Sequence, residues 1–174
     1  MSRSVEVVRT YLELRSPAQL RPVSPPSDVL FVRRDRISVE AYRRLYRDVG
    51  ERWHWRDRNA WTDAQLAHHL ARPEITVWES LVGQESAGYF ELDRHDDGSV
   101  EIAYFGLRPK FFGRGIGKAM LTRAAEESWA LGANRVWLHT CTLDSAQALP
   151  NYLARGFTQF RQETFTAELP PDTK

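Results

Sequence analysis

The amino-acid sequence predicts an α/β (α+β) fold with a central mixed, mostly antiparallel sheet of about seven strands, flanked by about four helices on both faces. Three observations lead to this prediction. Seven short segments are rich in β-branched and aromatic residues. Three of them follow one another across compact glycine-containing turns, as in an antiparallel meander. Two others are joined by a helical segment of the length that a parallel strand pair requires.

Length and composition favour one soluble, globular domain. The chain has 174 residues, and we expect a single domain over residues 1–174, with its core over about 28–166 and an extra strand and proline-rich loop over 1–27. Hydrophobic residues make up 42% and charged residues 27%, and the net charge is +1. This balance excludes wholesale disorder and any general attraction to nucleic acid or membranes. Since no apolar run reaches roughly 18 residues and no signal peptide is present, we expect a cytoplasmic protein without membrane contact.

The first elements are two strands and a helix. The residue types over Val5–Leu14 predict a strand, and the prolines between residues 16 and 26 predict a connecting loop. Residues 29–32 predict a second, short strand. Ser38 is then a plausible N-cap for a helix with apolar residues at i, i+3, i+4 and i+7, and Gly50 is expected to end that helix.

A second short helix is predicted over residues 63–71. Thr62 with Gln65 three positions later has the pattern of a capping box. The adjacent histidines His68 and His69 lie on this helix. Because neighbouring helical side chains point about 100° apart, these two cannot face one metal ion, and we expect no metal site.

The remaining chain predicts the meander, two helices and two more strands. The meander strands are expected over 74–82, 86–93 and 99–107, and the later strands over 135–140 and 157–166. A helix over 116–131 forms the crossover to the parallel strand. Asp144, with Gln147 three positions later, predicts the start of the last helix, which Pro150 must kink or restart.

Three glycines at alternate positions join the third meander strand to the long helix. Gly113, Gly115 and Gly117 allow a tight backbone turn in which successive N–H groups converge at a helix N-terminus. The helix dipole favours an anion there, and Arg114 and Lys118 add positive charge. The pattern therefore predicts a phosphate-binding turn, with a plain flexible loop as the alternative.

The order of elements, the glycine turn and the stretch Tyr152–Phe157 together resemble the GNAT superfamily of acyl-coenzyme A dependent N-acyltransferases. The family's phosphate motif, Gln or Arg, two free positions, Gly, one free position, then Gly or Ala, matches residues 112–117. Phe112 departs from it, because it stands at the usually polar first position. The late Tyr, three residues, then Gly-Phe is also present, and Ser145 occupies a position where the family often has Asn. The resemblance covers residues 74–166.

The resemblance implies the GNAT fold and an N-acetyltransferase that moves an acetyl group from acetyl-coenzyme A (acetyl-CoA) to a primary amine of a small molecule or peptide by direct attack in a ternary complex. It also implies which residues hold the cofactor. These are Phe105, Leu107, Phe112, Gly113, Arg114, Gly115, Ile116, Gly117, Lys118 and Ser145. The family usually ends in two strands after the last helix. Since this chain has length for only one, we expect Val5–Leu14 to pair beside the final strand.

The resemblance also suggests the catalytic groups. Glu101 lies six residues before Leu107, where some family members carry a catalytic base, and strand alternation would place Glu101 and Phe105 on one face. Tyr152 corresponds to the residue that protonates the departing thiolate. The alternatives are an outward-facing carboxylate for Glu101 and an aromatic packing residue for Tyr152. Direct transfer needs no covalent intermediate, so we assign His139 and Cys141 to ordinary core geometry.

The acceptor site is expected in the segment 52–61, which concentrates three of the six tryptophans. Trp53 and Trp55 with Asp57 would suit an apolar or cationic acceptor. The alternative is that the tryptophans close a small core. Glu91 is a second choice for the base and an alternative contact for a cationic substrate.

Two other functional classes, nucleic-acid binding and non-catalytic acyl-CoA sensing, match parts of the sequence. Nine arginines and five acidic residues lie between Arg33 and Arg58, next to tryptophans, which is a pattern of nucleic-acid binding. The near-neutral charge of the whole chain argues against it. A non-catalytic acyl-CoA sensor would retain the glycine turn without turnover. A homodimer is compatible with all these interpretations.

Overall fold

The computed structural model describes residues 3–170, which form a seven-stranded sheet with helices on both faces. The strands are β1 (Arg3–Leu14), β2 (Val29–Arg33), β3 (Ile75–Val82), β4 (Glu85–Arg94), β5 (Ser99–Leu107), β6 (Arg135–Cys141) and β7 (Thr158–Leu169). The α-helices are α1 (Val39–Gly50), α2 (Asp63–Leu70), α3 (Ile116–Ala130) and α4 (Ala148–Ala154). Within residues 3–170 the strand order is β2-β3-β4-β5-β6-β1-β7, and only β5 and β6 are parallel. The predicted mixed, mostly antiparallel sheet is confirmed.

The N-terminal strand β1 lies inside the sheet. Its residues 9–14 pair with β6, and its residues 3–13 pair with β7, both antiparallel. Leu12 and Leu14 have no exposed surface. The expectation that this strand pairs beside the last strand is confirmed, and burial of its apolar side chains against both neighbours explains why it enters the sheet.

Two of the three hydrophobic clusters within residues 3–170 lie on opposite faces of the sheet. One face packs against α3 and α4, with Phe90 and Met120 among its fully buried side chains. The other face packs against α1 and α2, with Tyr42 and Tyr89 fully buried. The N-caps of α1 and α2 are as predicted: Ser38 accepts a hydrogen bond from the backbone N–H of Ala41, and Thr62 forms the capping box with Gln65.

One predicted helix boundary is confirmed and one is wrong. Helix α1 ends at Gly50 as predicted, although Gly50 is not in a left-handed conformation, since its φ is −95° and a 3₁₀ turn follows. A Cβ at Gly50 would overlap the ring of Trp55, so close packing requires the glycine. Asp144 does not cap α4. Its Oδ2 accepts from Thr140 Oγ1 at 2.6 Å and the Cys141 N–H at 2.9 Å. The helix starts at Ala148, which puts Pro150 in the first turn, where no N–H donor is needed.

A bulge in β5 changes which side chains share a face. Glu91 pairs with Tyr104, but Leu92 pairs with Ile102, so Ala103 is an extra residue. The expectation that Glu101 and Phe105 share a face is therefore wrong. Phe105 packs against the core on the α3 side, whereas Glu101 belongs to the face that carries α1 and α2.

The parallel pair is short, and this creates the site. β5 pairs with β6 only from Ser99 to Glu101, opposite residues 135–137. Beyond that point, each strand continues for several residues without pairing to the other. The sheet is therefore open between β5 and β6, and groups from both faces reach the gap.

Candidate active site

A large cleft occupies the gap between β5 and β6. Its volume is about 1140 Å³. It is bounded by the glycine turn, by the start of α4 and by the tryptophan-rich segment that joins α1 to α2. Of the predicted site residues, the cleft is lined by Trp53, Trp55, Asp57, Glu101, Phe105, Leu107, Phe112, Gly113, Gly115, Gly117, Lys118, Ser145 and Tyr152.

The glycine turn presents free backbone donors to this cleft. Gly113 and Gly115 have φ values of +73° and +76°, and a Cβ at either position would meet nothing within 4 Å. No side chain caps α3 at Gly115. Within residues 3–170, none of the N–H groups from Gly113 to Lys118 donates to a side chain or a loop carbonyl. The turn thus combines an open space with unpaired donors at a helix N-terminus, which is the geometry of an anion site.

Three other predicted cofactor residues have different surroundings. Gly117 has no positive φ, and a Cβ there would make an ordinary contact of 3.7 Å with Leu107. Ile116 is 1% exposed and packs in the core, so only its backbone is available to a ligand. The Arg114 side chain pairs with Asp28 at 3.1 Å and is not among the groups that line the cleft.

Two residues that the sequence analysis did not select carry buried polar atoms without partners. Asn151 Oδ1 and the Nε and Nη1 atoms of Arg155 are buried and make no hydrogen bond, and both residues line the cleft. Such atoms are costly unless a ligand satisfies them. A cofactor with amide N–H groups could donate to Asn151 Oδ1, and its phosphate groups could accept from Arg155 and from the free backbone amides of the turn. Arg155 lies inside the Tyr152–Phe157 stretch, but no local pattern indicated its unpaired atoms.

Glu101 lines the cleft and is largely shielded from solvent. Its side chain is 16% exposed. Oε2 lies 3.0 Å from His95 Nε2, and Oε1 lies 4.0 Å from His139 Nε2. Burial raises the pKa of Glu101, against the lowering effect of the hydrogen bond to His95. A carboxylate with a raised pKa is a stronger proton acceptor than a solvated one.

Tyr152 reaches the same cleft from the opposite face of the sheet. Its ring lies between those of Phe105 and Phe157, with centroid distances of 6.2 and 6.3 Å. Burial raises the pKa of its phenol, so the group stays protonated at neutral pH and can donate a proton. The open gap between β5 and β6 is what allows Glu101 and Tyr152, on different faces, to line one cavity.

Glu91 lies outside the cleft, in a buried ionic cluster. Its side chain has no exposed surface and accepts from Arg58 at 2.5 and 2.7 Å, from Tyr42 at 2.6 Å, and lies 2.9 Å from His69 Nε2. Burial alone would raise its pKa, but these bonds outweigh burial and lower the pKa to about 2. This placement does not match the expectation of a base or a substrate contact. Glu91 instead anchors Arg58, and with it the irregular segment between α1 and α2.

The three tryptophans of that segment have different surroundings. Trp55 packs into the core, with its ring centroid 5.0 Å from that of Tyr104 and 5.7 Å from that of Tyr46. The ring centroids of Trp61 and His69 lie 5.2 Å apart. Those of Trp53 and Phe112, which belongs to the glycine turn, lie 6.2 Å apart. The packing alternative thus describes Trp55, whereas Trp53 links the two loops that border the cleft.

His139 and Cys141, which the sequence analysis assigned to ordinary core geometry, both line the cleft. The His139 side chain is 37% exposed. Burial and the nearby charge of Arg9 lower its pKa, which favours the neutral imidazole. Burial raises the pKa of the Cys141 thiol, which disfavours a thiolate nucleophile. The alternation of these two residues along β6 gave no sign that this strand edge is open.

Comparison with solved structures establishes the fold. A GCN5-related N-acetyltransferase from Kribbella flavida superposes over 97% of this chain and 60% of its own, with a TM-score of 0.68 and 16% identity. An aminoglycoside acetyltransferase from an uncultured soil metagenomic sample, solved with trehalose, superposes over 74% of this chain and 87% of its own, with a TM-score of 0.60 and 15% identity.

Sequence comparison establishes the family. The profile of the acetyltransferase (GNAT) family matches residues 39–157, and the chain belongs to this family. A mycothiol acetyltransferase from Corynebacterium efficiens is 30% identical over 115 residues, which are 62% of this chain and 38% of that protein. The chain therefore spans less than half the length of this curated relative.

Among residues 3–170, no helix has both the length and the apolar character needed to cross a bilayer.

Proposed function

We propose that the chain transfers an acetyl group from acetyl-CoA to a primary amine of a small molecule or peptide, by direct attack within a ternary complex. The observation that carries this proposal is one cleft that joins a free glycine turn to two buried proton-transfer groups, Glu101 and Tyr152. Family membership supports acetyl-CoA as the donor.

The chain offers matching groups for each part of the cofactor. The N–H groups from Gly113 to Lys118 would bind the pyrophosphate, and Lys118 and Arg155 would add positive charge. The edge of β5 beyond Glu101 has no strand partner on its β6 side, so its backbone can pair with an extended amide-containing arm. When bound, acetyl-CoA supplies a thioester whose acetyl group is open to attack by an amine.

Two side chains would move the protons. Glu101 accepts a proton from the substrate ammonium, directly or through one water, and leaves the nitrogen lone pair free to form the new C–N bond. Tyr152 donates its phenolic proton to the sulfur as the C–S bond breaks. The nitrogen loses its second proton as the amide forms, and that proton returns through water to the Tyr152 phenolate, while Glu101 releases its own proton to solvent. Neither step needs a covalent enzyme intermediate.

The acceptor would enter beside the tryptophan-rich segment. Trp53, Trp61 and Asp57 line that end of the cleft, and Asp57 accepts from Tyr104 Oη at 3.3 Å. Aromatic faces next to a carboxylate suit a cationic amine on a compact body. The name of the curated relative makes mycothiol-related amines the first acceptors to test.

A thiol-release assay over a panel of amines tests the proposal, with mycothiol-related amines, aminoglycosides, polyamines, amino acids and peptides as acceptors. With an active acceptor, we expect Glu101→Gln to lower kcat by about 100-fold or more, because general-base catalysis contributes about 10²–10⁴-fold. Tyr152→Phe should also lower kcat. Acetyl-CoA affinity, measured by calorimetry, should stay unchanged in both variants.

Three outcomes would contradict the proposal. If acetyl-CoA binds but no amine elicits thiol release, the chain acts as an acyl-CoA sensor. If Glu101→Gln retains full activity at every pH, Glu101 is not the base. Failure of acetyl-CoA to bind at all would remove both functions.

A further inference from the structure

The Glu101 carboxylate is held from outside the cleft. One of its oxygens, Oε1, lies 4.0 Å from the Nε2 atom of His139, which lines the cleft. The other, Oε2, lies 3.0 Å from the Nε2 atom of His95, which does not line the cleft. The two oxygens therefore have separate roles: one is committed to a hydrogen bond and one is left for the substrate.

His95 is itself placed rigidly. It lies in the turn between β4 and β5, where its backbone N–H donates to the Ser99 carbonyl at 2.9 Å and its backbone carbonyl accepts from the Gly98 N–H at 3.0 Å. Its ring packs 5.5 Å from the ring of Trp137. The side chain is 38% exposed, and it is open to solvent outside the cleft.

We propose that His95 is a positioning residue that orients Glu101 for proton transfer and keeps it ionised as the solution becomes more acidic. This inference rests on the proposed function. An ionised carboxylate only accepts hydrogen bonds, so the Nε2 atom of His95 must carry the proton that joins them. The hydrogen bond from His95 and the charge of His95 both lower the pKa of Glu101. The charge opposes protonation of the carboxylate and extends activity to lower pH.

The surroundings of Glu101 give His95 this influence. The titratable groups that face Glu101 or lie near His95 are His95, His139, Asp93, Glu91 and Asp97. Among the electrostatic effects, Asp93 and Glu91 raise the pKa of Glu101, in the same direction as burial, whereas His95 lowers it. Loss of His95 would leave burial and the acidic neighbours unopposed.

The test is the pH dependence of kcat/KM in His95→Gln, which keeps an N–H donor but cannot become charged. We expect the acidic limb to move upward by about one pH unit, which is a roughly tenfold loss of rate below that limb. His95→Asn provides a second variant. His68→Gln, at an exposed histidine on α2, is the matched control and should leave the profile unchanged.

A readout that does not depend on activity separates this inference from the proposed function. The carboxyl carbon of Glu101, followed by NMR during a pH titration, should titrate at higher pH in His95→Gln than in the wild type. If both the titration curve and the pH–rate profile overlay those of the wild type, His95 has no such role. If the wild type acetylates no amine but the titration shifts, the proposed function fails and the coupling between the two residues stands.

Discussion

The two ends of the cleft are built by different means. The end that we propose for the cofactor depends on backbone conformation: two glycines with positive φ and a helix start that no described side chain caps. The end that we propose for the acceptor depends on buried side chains, because Arg58, Glu91 and His69 hold an irregular segment against the sheet. A backbone turn is specified by a few neighbouring residues. A buried ion pair joins distant residues, and losing either partner leaves an uncompensated charge.

The largest expected effect is at the acceptor end. Glu91→Gln removes the counter-charge of Arg58, whose side chain is only 7% exposed, and should lower the free energy of unfolding by about 3–5 kcal/mol. Chemical denaturation monitored by circular dichroism measures this. Glu40→Gln is the control, since Glu40 is 86% exposed and its i,i+4 pair with Arg44 contributes about 0.5 kcal/mol or less. Equal effects of the two changes would show that the buried pair is not what secures this end.

The same pair predicts an acid dependence of stability. Because folding lowers the pKa of Glu91 to about 2, its contribution is complete above the unfolded value of about 4.5 and is lost as pH falls toward 2. Wild-type stability should therefore decline across this window, and Glu91→Gln should show a smaller decline.

A smaller effect is expected at the cofactor end. Gly115→Ala forces a Cβ into a left-handed conformation that costs about 1–2 kcal/mol, and relief of that strain should tilt the free N–H groups. We expect the Kd for acetyl-CoA to rise about tenfold. Gly117→Ala is the matched control: its φ is not positive and its Cβ would make an ordinary contact, so the Kd should change less than about twofold. If both variants bind alike, backbone conformation does not set affinity at this turn.

The smallest expected effect concerns the contact that links the two ends. Trp53 and Phe112 should couple by about 0.5–1.5 kcal/mol in a double-mutant cycle. Each single alanine variant should raise both the Kd for acetyl-CoA and the KM for the acceptor. In the double variant, these two increases should not add. Strict additivity would mean that the ends act independently and that Phe112, at a usually polar motif position, has no part in the acceptor site.

Features that depend on neighbouring residues could be predicted from the sequence. The glycine turn, the caps at Ser38 and Thr62 and the seven strands were all identified, because each follows from local backbone preference or from a short repeat of apolar residues. The start of α4 was missed for a related reason. Asp144 has the local pattern of an N-cap, but its carboxylate bonds to the end of β6 instead.

The face on which Glu101 lies could not be predicted. Strand alternation holds only while pairing is regular, and the extra residue Ala103 reverses the faces beyond it. The bulge depends on how β4 and β5 pair, and no local pattern in either strand showed it.

By itself, the sequence determined the fold class and the glycine turn, since both follow from local chemistry repeated along the chain. Only the tertiary structure decided how the rest of the site is made. Glu91 joins Arg58 across 33 residues, and Glu101 lies between His95 and His139. These contacts arise because β5 and β6 separate and distant side chains are buried together, where each charge must find a partner.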